Sequence, residues 1–141
     1  MINTSHIIVL QSSTGQVGGK QRYGINSVSF KPSDDIQLKL ADYFNIGGVF
    51  RIGSISDRPN GGRLYTDMLV MGADYRAFVE IVFENPSDIV LSYHIDGFFI
   101  VGKKDGWRRM DTSNQAGYNL RDGVARSTIQ VYPKSWSALY V

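Results

Sequence analysis

The stretch Phe78-Val79-Glu80-Ile81-Val82-Phe83-Glu84 divides cleanly into two sides, with Val79, Ile81 and Phe83 on one and Phe78, Glu80, Val82 and Glu84 on the other. A period of two suits a pleated strand and not a helix, so residues 77–83 are read as a half-buried strand. Six to eight short segments of this kind run along the chain. Ile7-Ile8-Val9-Leu10 opens a strand, and residues 23–30 predict a second, with Ile25, Ser27 and Ser29 opposite Asn26, Val28 and Phe30. Further strands are expected at 64–70, 88–94, 98–101, 124–132 and 137–141. Asp57-Arg58-Pro59-Asn60-Gly61-Gly62 is a strong turn signal between them. Only residues 36–44 have helical character, one or two turns capped by Ser33. Many short strands with turns between them predict an all-β protein, a Greek-key β-sandwich.

A length of 141 residues fits one core, so a single domain over 1–141 is expected. Uninterrupted apolar runs such as Phe98-Phe99-Ile100-Val101 stop far short of the roughly 20 residues that span a bilayer, so no membrane span is expected. The N-terminus has no basic region followed by a long apolar stretch, hence no signal peptide; a complete product of this sequence would be cytoplasmic. A net charge of +2 is too small to imply a polyanion partner by itself. Gly47, Gly48 and Gly53 are followed by no Gly-Lys-Ser/Thr and are read as turn glycines, not a phosphate loop.

Candidate functional residues are few. His94 could ligate a metal, but metal sites need several convergent donors, and the only other imidazole is His6, at the start of the first strand; a structural histidine is the favoured reading. Asp96 shares a strand face with His94, as an acid–base pair would, yet no nucleophile accompanies them and no catalytic residue is assigned. Lys103-Lys104-Asp105-Gly106-Trp107-Arg108-Arg109 places four cations, Lys103, Lys104, Arg108 and Arg109, around Trp107. Such a loop can hold a polyanion through charge and stacking, or can be a solvated turn. One hairpin does not establish nucleic-acid binding, and no nucleic-acid partner is assigned. Asn3-Thr4-Ser5 is a glycosylation sequon at Asn3, meaningful in a secreted chain. The chain has no cysteine. Alternation puts Ala125, Ser127, Ile129 and Val131 on one apolar face, so Ser127 is expected to point inward.

Several segments resemble, in this order, the ascorbate-oxidase-homologue and monocopper-oxidase-like branch of plant multicopper oxidase-like proteins, pollen-specific members included. They are Gly19-Lys20-Gln21-Arg22-Tyr23, Lys39-Leu40-Ala41-Asp42-Tyr43-Phe44, Gly47-Gly48-Val49-Phe50, Tyr75 through Asn85, Tyr118-Asn119-Leu120-Arg121-Asp122 and Gln130-Val131-Tyr132-Pro133-Lys134-Ser135-Trp136. The resemblance is to the third, C-terminal domain of these secreted proteins. It implies a cupredoxin-like (plastocyanin-like) sandwich, C-terminally incomplete, with an extracellular or apoplastic home.

The resemblance also bears on chemistry. In multicopper oxidases the strand matching Leu91-Ser92-Tyr93-His94-Ile95-Asp96-Gly97 reads His-x-x-His-x-His-Gly; Leu91 and Asp96 stand at lost histidine positions and His94 remains. Ser127 stands where relatives usually carry a cysteine. Relative to them the chain is two residues shorter between Gly97 and Phe98, an even number that keeps Phe98 and Ile100 in phase. Copper, the cofactor of complete relatives, is therefore not expected, and the reading is a non-catalytic, degenerate module and no enzyme. The alternative is part of a copper-dependent oxidoreductase, active only with additional domains. Expected partners are a second copy or another protein at an open sheet edge left by the missing final segment, and an acidic cell-wall polysaccharide such as pectin.

Overall fold

The computed structural model describes residues 4–106 and 109–141. In chain order its strands are β1 His6–Val17, β2 Lys20–Ile25, β3 Val28–Phe30, β4 Tyr65–Asp67, β5 Val79–Asn85, β6 Leu91–Asp105, β7 Val124–Val131 and β8 Ser135–Tyr140. One helix, α1 Leu38–Tyr43, and one 3₁₀ turn, Thr112–Gly117, complete the regular structure of the described residues. The chain folds into two compact units: the first holds the residues up to Ser12 and from Ala73 to Val141, the second Ser13–Gly72.

In the first unit the strands run in the order β1-β5-β8-β6-β7. His6 to Gln11 of β1 lie parallel to β5, and every other pair is antiparallel. β8 therefore returns to lie between β5 and β6, with both of its edges paired, while β7 ends the order. β6 changes partner along its length. Leu91 to Ile100 pair with β7, and Phe99 to Asp105 pair with β8. The change is made by irregularities at two places, between His94 and Phe98, where Gly97 has φ 75°, and between Ile100 and Gly102. Strands that switch partner at bulges form the corners of a sandwich.

The register sorts the core into two layers. Glu80, Val82 and Glu84 face Tyr140, Ala138 and Trp136. That layer packs with Val9, Val101, Ile7, Met110 and Tyr118. Ile81 and Phe83 face the other way with Leu139, and join Phe98, Ile129, Val131, Leu10, Tyr93, Ile95 and Ile100. Phe98 and Ile100 thus serve one layer, in the phase read from the sequence. Strand β5 is not half-buried as its alternation suggested. Glu80 and Glu84 are as buried as Val82, because residues 110–118 cover the side that the pattern assigned to solvent.

Other expectations need correction. Residues 23–30 are two strands, β2 and β3, joined at Asn26 (φ 47°) and Ser27 (φ 67°). Two successive positive φ values make a tight hairpin turn whose twist matches its strands, and Asn is well suited to it. The turn is held by Asn26 donating to the Ser56 carbonyl at 2.8 Å and Ser27 Oγ donating to the Gly62 carbonyl at 2.9 Å. The helix starts at Leu38 with Gln37 as its cap residue and no side-chain cap bond, so Ser33 does not cap it. Strands predicted at 88–94 and 98–101 are one strand, β6. Ser127 is exposed, not inward, since the buried part of β7 is confined to Ile129 and Val131.

Candidate functional site

His94 and Asp96 lie just before the Gly97 irregularity of β6. Their side chains meet: His94 Nε2 is 3.2 Å from Asp96 Oδ1, and His94 Nδ1 is 3.1 Å from Thr128 Oγ1 on β7. Both are open to water, with side-chain exposures of 65% and 99%. An exposed pair of this kind contributes little to stability. The contact is one that spacing by two on a strand does not guarantee. Leu91 is half-buried at the start of β6, opposite Val131.

The donor set does not fit a blue-copper centre, which needs a thiolate and two imidazoles. The chain has no cysteine. Its two imidazoles stand on β1 and β6, with β5 and β8 between them in the strand order. Among the described residues no three His, Cys, Asp or Glu side chains converge on one point.

The basic stretch is not a single cluster. Lys103 and Lys104 belong to the end of β6, paired opposite Ser137 and Trp136. Lys103 Nζ lies 4.0 Å from the centroid of the Tyr132 ring, a cation–π contact, whereas Lys104 Nζ is 3.5 Å from Asn114 Oδ1. Lys103 also borders an open groove of about 390 Å³ together with Arg126, Thr128, Gln130 and Tyr132. Arg109 is exposed. Trp107, Arg108 and the sequon residue Asn3 lie outside the described residues.

Sequence reasoning missed two features. The first is the buried carboxylate face of β5. Glu80 accepts from Tyr118 Oη at 2.7 Å through Oε1 and from Gln115 Nε2 at 2.7 Å through Oε2. Glu84 Oε1 accepts from the Met110 amide at 2.9 Å. These bonds fasten residues 110–118 over the first core layer. Burial, then the hydrogen bond and the charge of Glu80, push the Tyr118 phenol well above its ordinary range, and burial followed by Glu80 pushes Tyr140 up as well. A face reading Glu-Val-Glu inside an otherwise apolar strand was the available signal. The second feature is an apolar cleft of about 210 Å³ beside β6, lined by Phe78, Phe99, Val101, Leu120, Tyr140 and the loop residue Arg121, among others.

The family model described as multicopper oxidase matches residues 35–141. The chain belongs to the multicopper oxidase family. Within it, the sequence is 39% identical over 143 residues to an L-ascorbate oxidase homolog of Nicotiana tabacum and 40% identical over 145 residues to one of Brassica napus, with 98% of this chain covered in each case. It is 38% identical over 145 residues to the monocopper oxidase-like protein SKU5 of Arabidopsis thaliana, covering 99% of the chain. The chain spans about a quarter of the length of these relatives, 25%, 25% and 24% respectively. Fet3p, described as a multicopper oxidase that functions in iron import, superposes with a TM-score of 0.70 over 99% of this chain and 26% of its own, at 14% identity. That likeness concerns the fold. The chain is thus a cupredoxin-like β domain of the plant multicopper oxidase-like type, as its motifs led us to expect. No helix among the described residues is long and apolar enough to cross a membrane.

Proposed function

We propose that this multicopper oxidase-family chain is a non-catalytic cupredoxin-like module that acts by association, in an extracellular, cell-wall setting. The observation that carries the reading is the state of the ligand strand. Leu91 is half-buried opposite Val131, His94 is turned to Thr128 and Asp96 at the surface, and the only other imidazole, His6, belongs to β1. A cupredoxin scaffold with that donor set keeps a surface to bind with and lacks the means to cycle an electron through a copper thiolate. Purified chain mixed with Cu(II) should develop no intense visible charge-transfer band and should consume no oxygen with ascorbate above free copper. Stoichiometric copper that is lost in His94→Ala, or ascorbate-dependent oxygen uptake, would instead support an oxidoreductase part that draws its remaining ligands from other segments.

The groove bordered by Lys103, Arg126 and Tyr132 supports an acidic polysaccharide as the associated ligand, because two cations, one aromatic ring and neighbouring hydroxyl and amide groups match a uronate chain. Polygalacturonate should retain the chain in co-sedimentation, and Lys103→Gln with Arg126→Gln should release it. Retention unchanged by that double variant would refute this assignment.

A further inference from the structure

The geometry points to a small-molecule site in the cleft beside β6, shaped for an aromatic carboxylate. Its floor is Val101 and Tyr140, both buried. Its walls are Phe78, Phe99 and Leu120, which are 44%, 52% and 48% exposed. Three large apolar side chains stand half in water around one concavity, and an apolar ligand seated there would remove that area from water.

The remaining side is a built loop. The Asn119 amide donates to the Val101 carbonyl at 2.8 Å, and Asn119 Oδ1 accepts from the amides of Arg121 and Asp122 at 3.3 and 3.4 Å. At Gly123 the loop lies close against β6, its Cβ position being 3.4 Å from the Ile100 carbonyl oxygen and 3.6 Å from Phe99 Cβ, ordinary van der Waals contact. The loop therefore has a defined shape and carries Arg121 into the lining of the cleft. Neither a hydrogen bond nor an ion pair engages the Arg121 guanidinium among the described residues. A free guanidinium beside an apolar hollow selects a planar anion, because its fork matches a carboxylate in two parallel hydrogen bonds.

Size narrows the class. A volume of about 210 Å³ falls below the ~300–1,000 Å³ of drug-sized sites. One ring, or two fused rings, with a single acidic group fills it. This site is independent of the copper question: neither His94 nor Asp96 lines it, and its occupation needs no metal.

The test is a titration of the nitrogen-15-labelled 141-residue chain with 2-naphthoate, and separately with its neutral counterpart 2-naphthamide. Naphthoate should move the backbone resonances of Phe99, Asn119, Leu120, Arg121 and Gly123. The amide, and naphthoate with Arg121→Gln, should each bind at least about tenfold more weakly, as expected for loss of a charge-assisted pair. Phe99→Ser, a change at a half-exposed side chain, should weaken both probes alike while remote resonances stay in place. Equal affinity for acid and amide, undiminished binding by Arg121→Gln, or shifts that appear only elsewhere would overturn the assignment.

Discussion

Tyr118 donates its phenolic hydrogen to Glu80 across 2.7 Å, joining the segment that covers the first core layer to strand β5 beneath it. Glu80 is fully buried, and both of its oxygens are engaged as acceptors. Glu84, four residues along on the same face, engages one oxygen only; its Oε2 has no partner among the described residues, nor has Nε1 of the facing Trp136.

The two glutamates should therefore respond differently to the same change. Glu80→Gln sets an NH₂ group against one of two donors and should lower stability by about 1–3 kcal/mol. Glu84→Gln can keep its acceptor for the Met110 amide while losing a buried acid, and should be neutral or stabilising. Urea unfolding of the two variants checks the order; the reverse order would mean that Glu84 is the anchoring residue.

Alkaline pH should weaken the fold by way of its tyrosines. Burial raises Tyr93 from 10.0 to about 12, and Tyr118 is raised by burial and by Glu80. A phenol raised in the folded state keeps its proton after the unfolded chain has released its own. Above the unfolded value the unfolded state thus binds fewer protons, and stability falls with pH. The contribution is intact below about pH 10 and is lost as the pH climbs from about 10 towards 12. Melting temperatures over this window should drop, and Tyr93→Phe should flatten part of the decline.

Gly102 is required by close approach. A Cβ at this position would stand 2.5 Å from Tyr118 Cε1 and 3.3 Å from Trp136 Cζ3. Gly102→Ala should lower stability by about 1–3 kcal/mol, the usual range for overpacking. The loss should shrink in a Tyr118→Ala background, where the ring that the new methyl meets is gone. An equal loss in both backgrounds would place the strain in the β6 backbone instead.

Much of the strand pattern could be read directly, and the reasons for the misreadings are specific. The alternation of 78–84 located β5, but it could not reveal that residues 110–118 cover its second face; a Glu on an alternating strand reads as wet until its partners, here Tyr118 and Gln115 more than thirty residues away, are known. The phase shared with Ile129 and Val131 predicts an inward Ser127, yet burial along β7 reaches back only to Ile129. Position in the strand outweighed phase. His94 and Asp96 are legible in the sequence, but their 3.2 Å contact beside the irregularity before Phe98 is not, because no local pattern announces it. The cleft was hidden for a similar reason: its lining comes from β6, β8, the residue before β5 and the loop after the 3₁₀ turn, segments with no shared motif.

The placement of β8 between β5 and β6 also governs how the first unit can form. β5 must find β1 across contacts such as Ser5 with Phe78, 73 residues apart, and must find β8 in the pairing of Glu80 with Tyr140. Neither neighbour is local, so little of the core is rewarded until distant parts of the chain have met. Domains ruled by such contacts fold in milliseconds to seconds rather than microseconds. Until β8 arrives, β5 and β6 each present an unpaired edge, and that interval is when this domain is most open to aggregation.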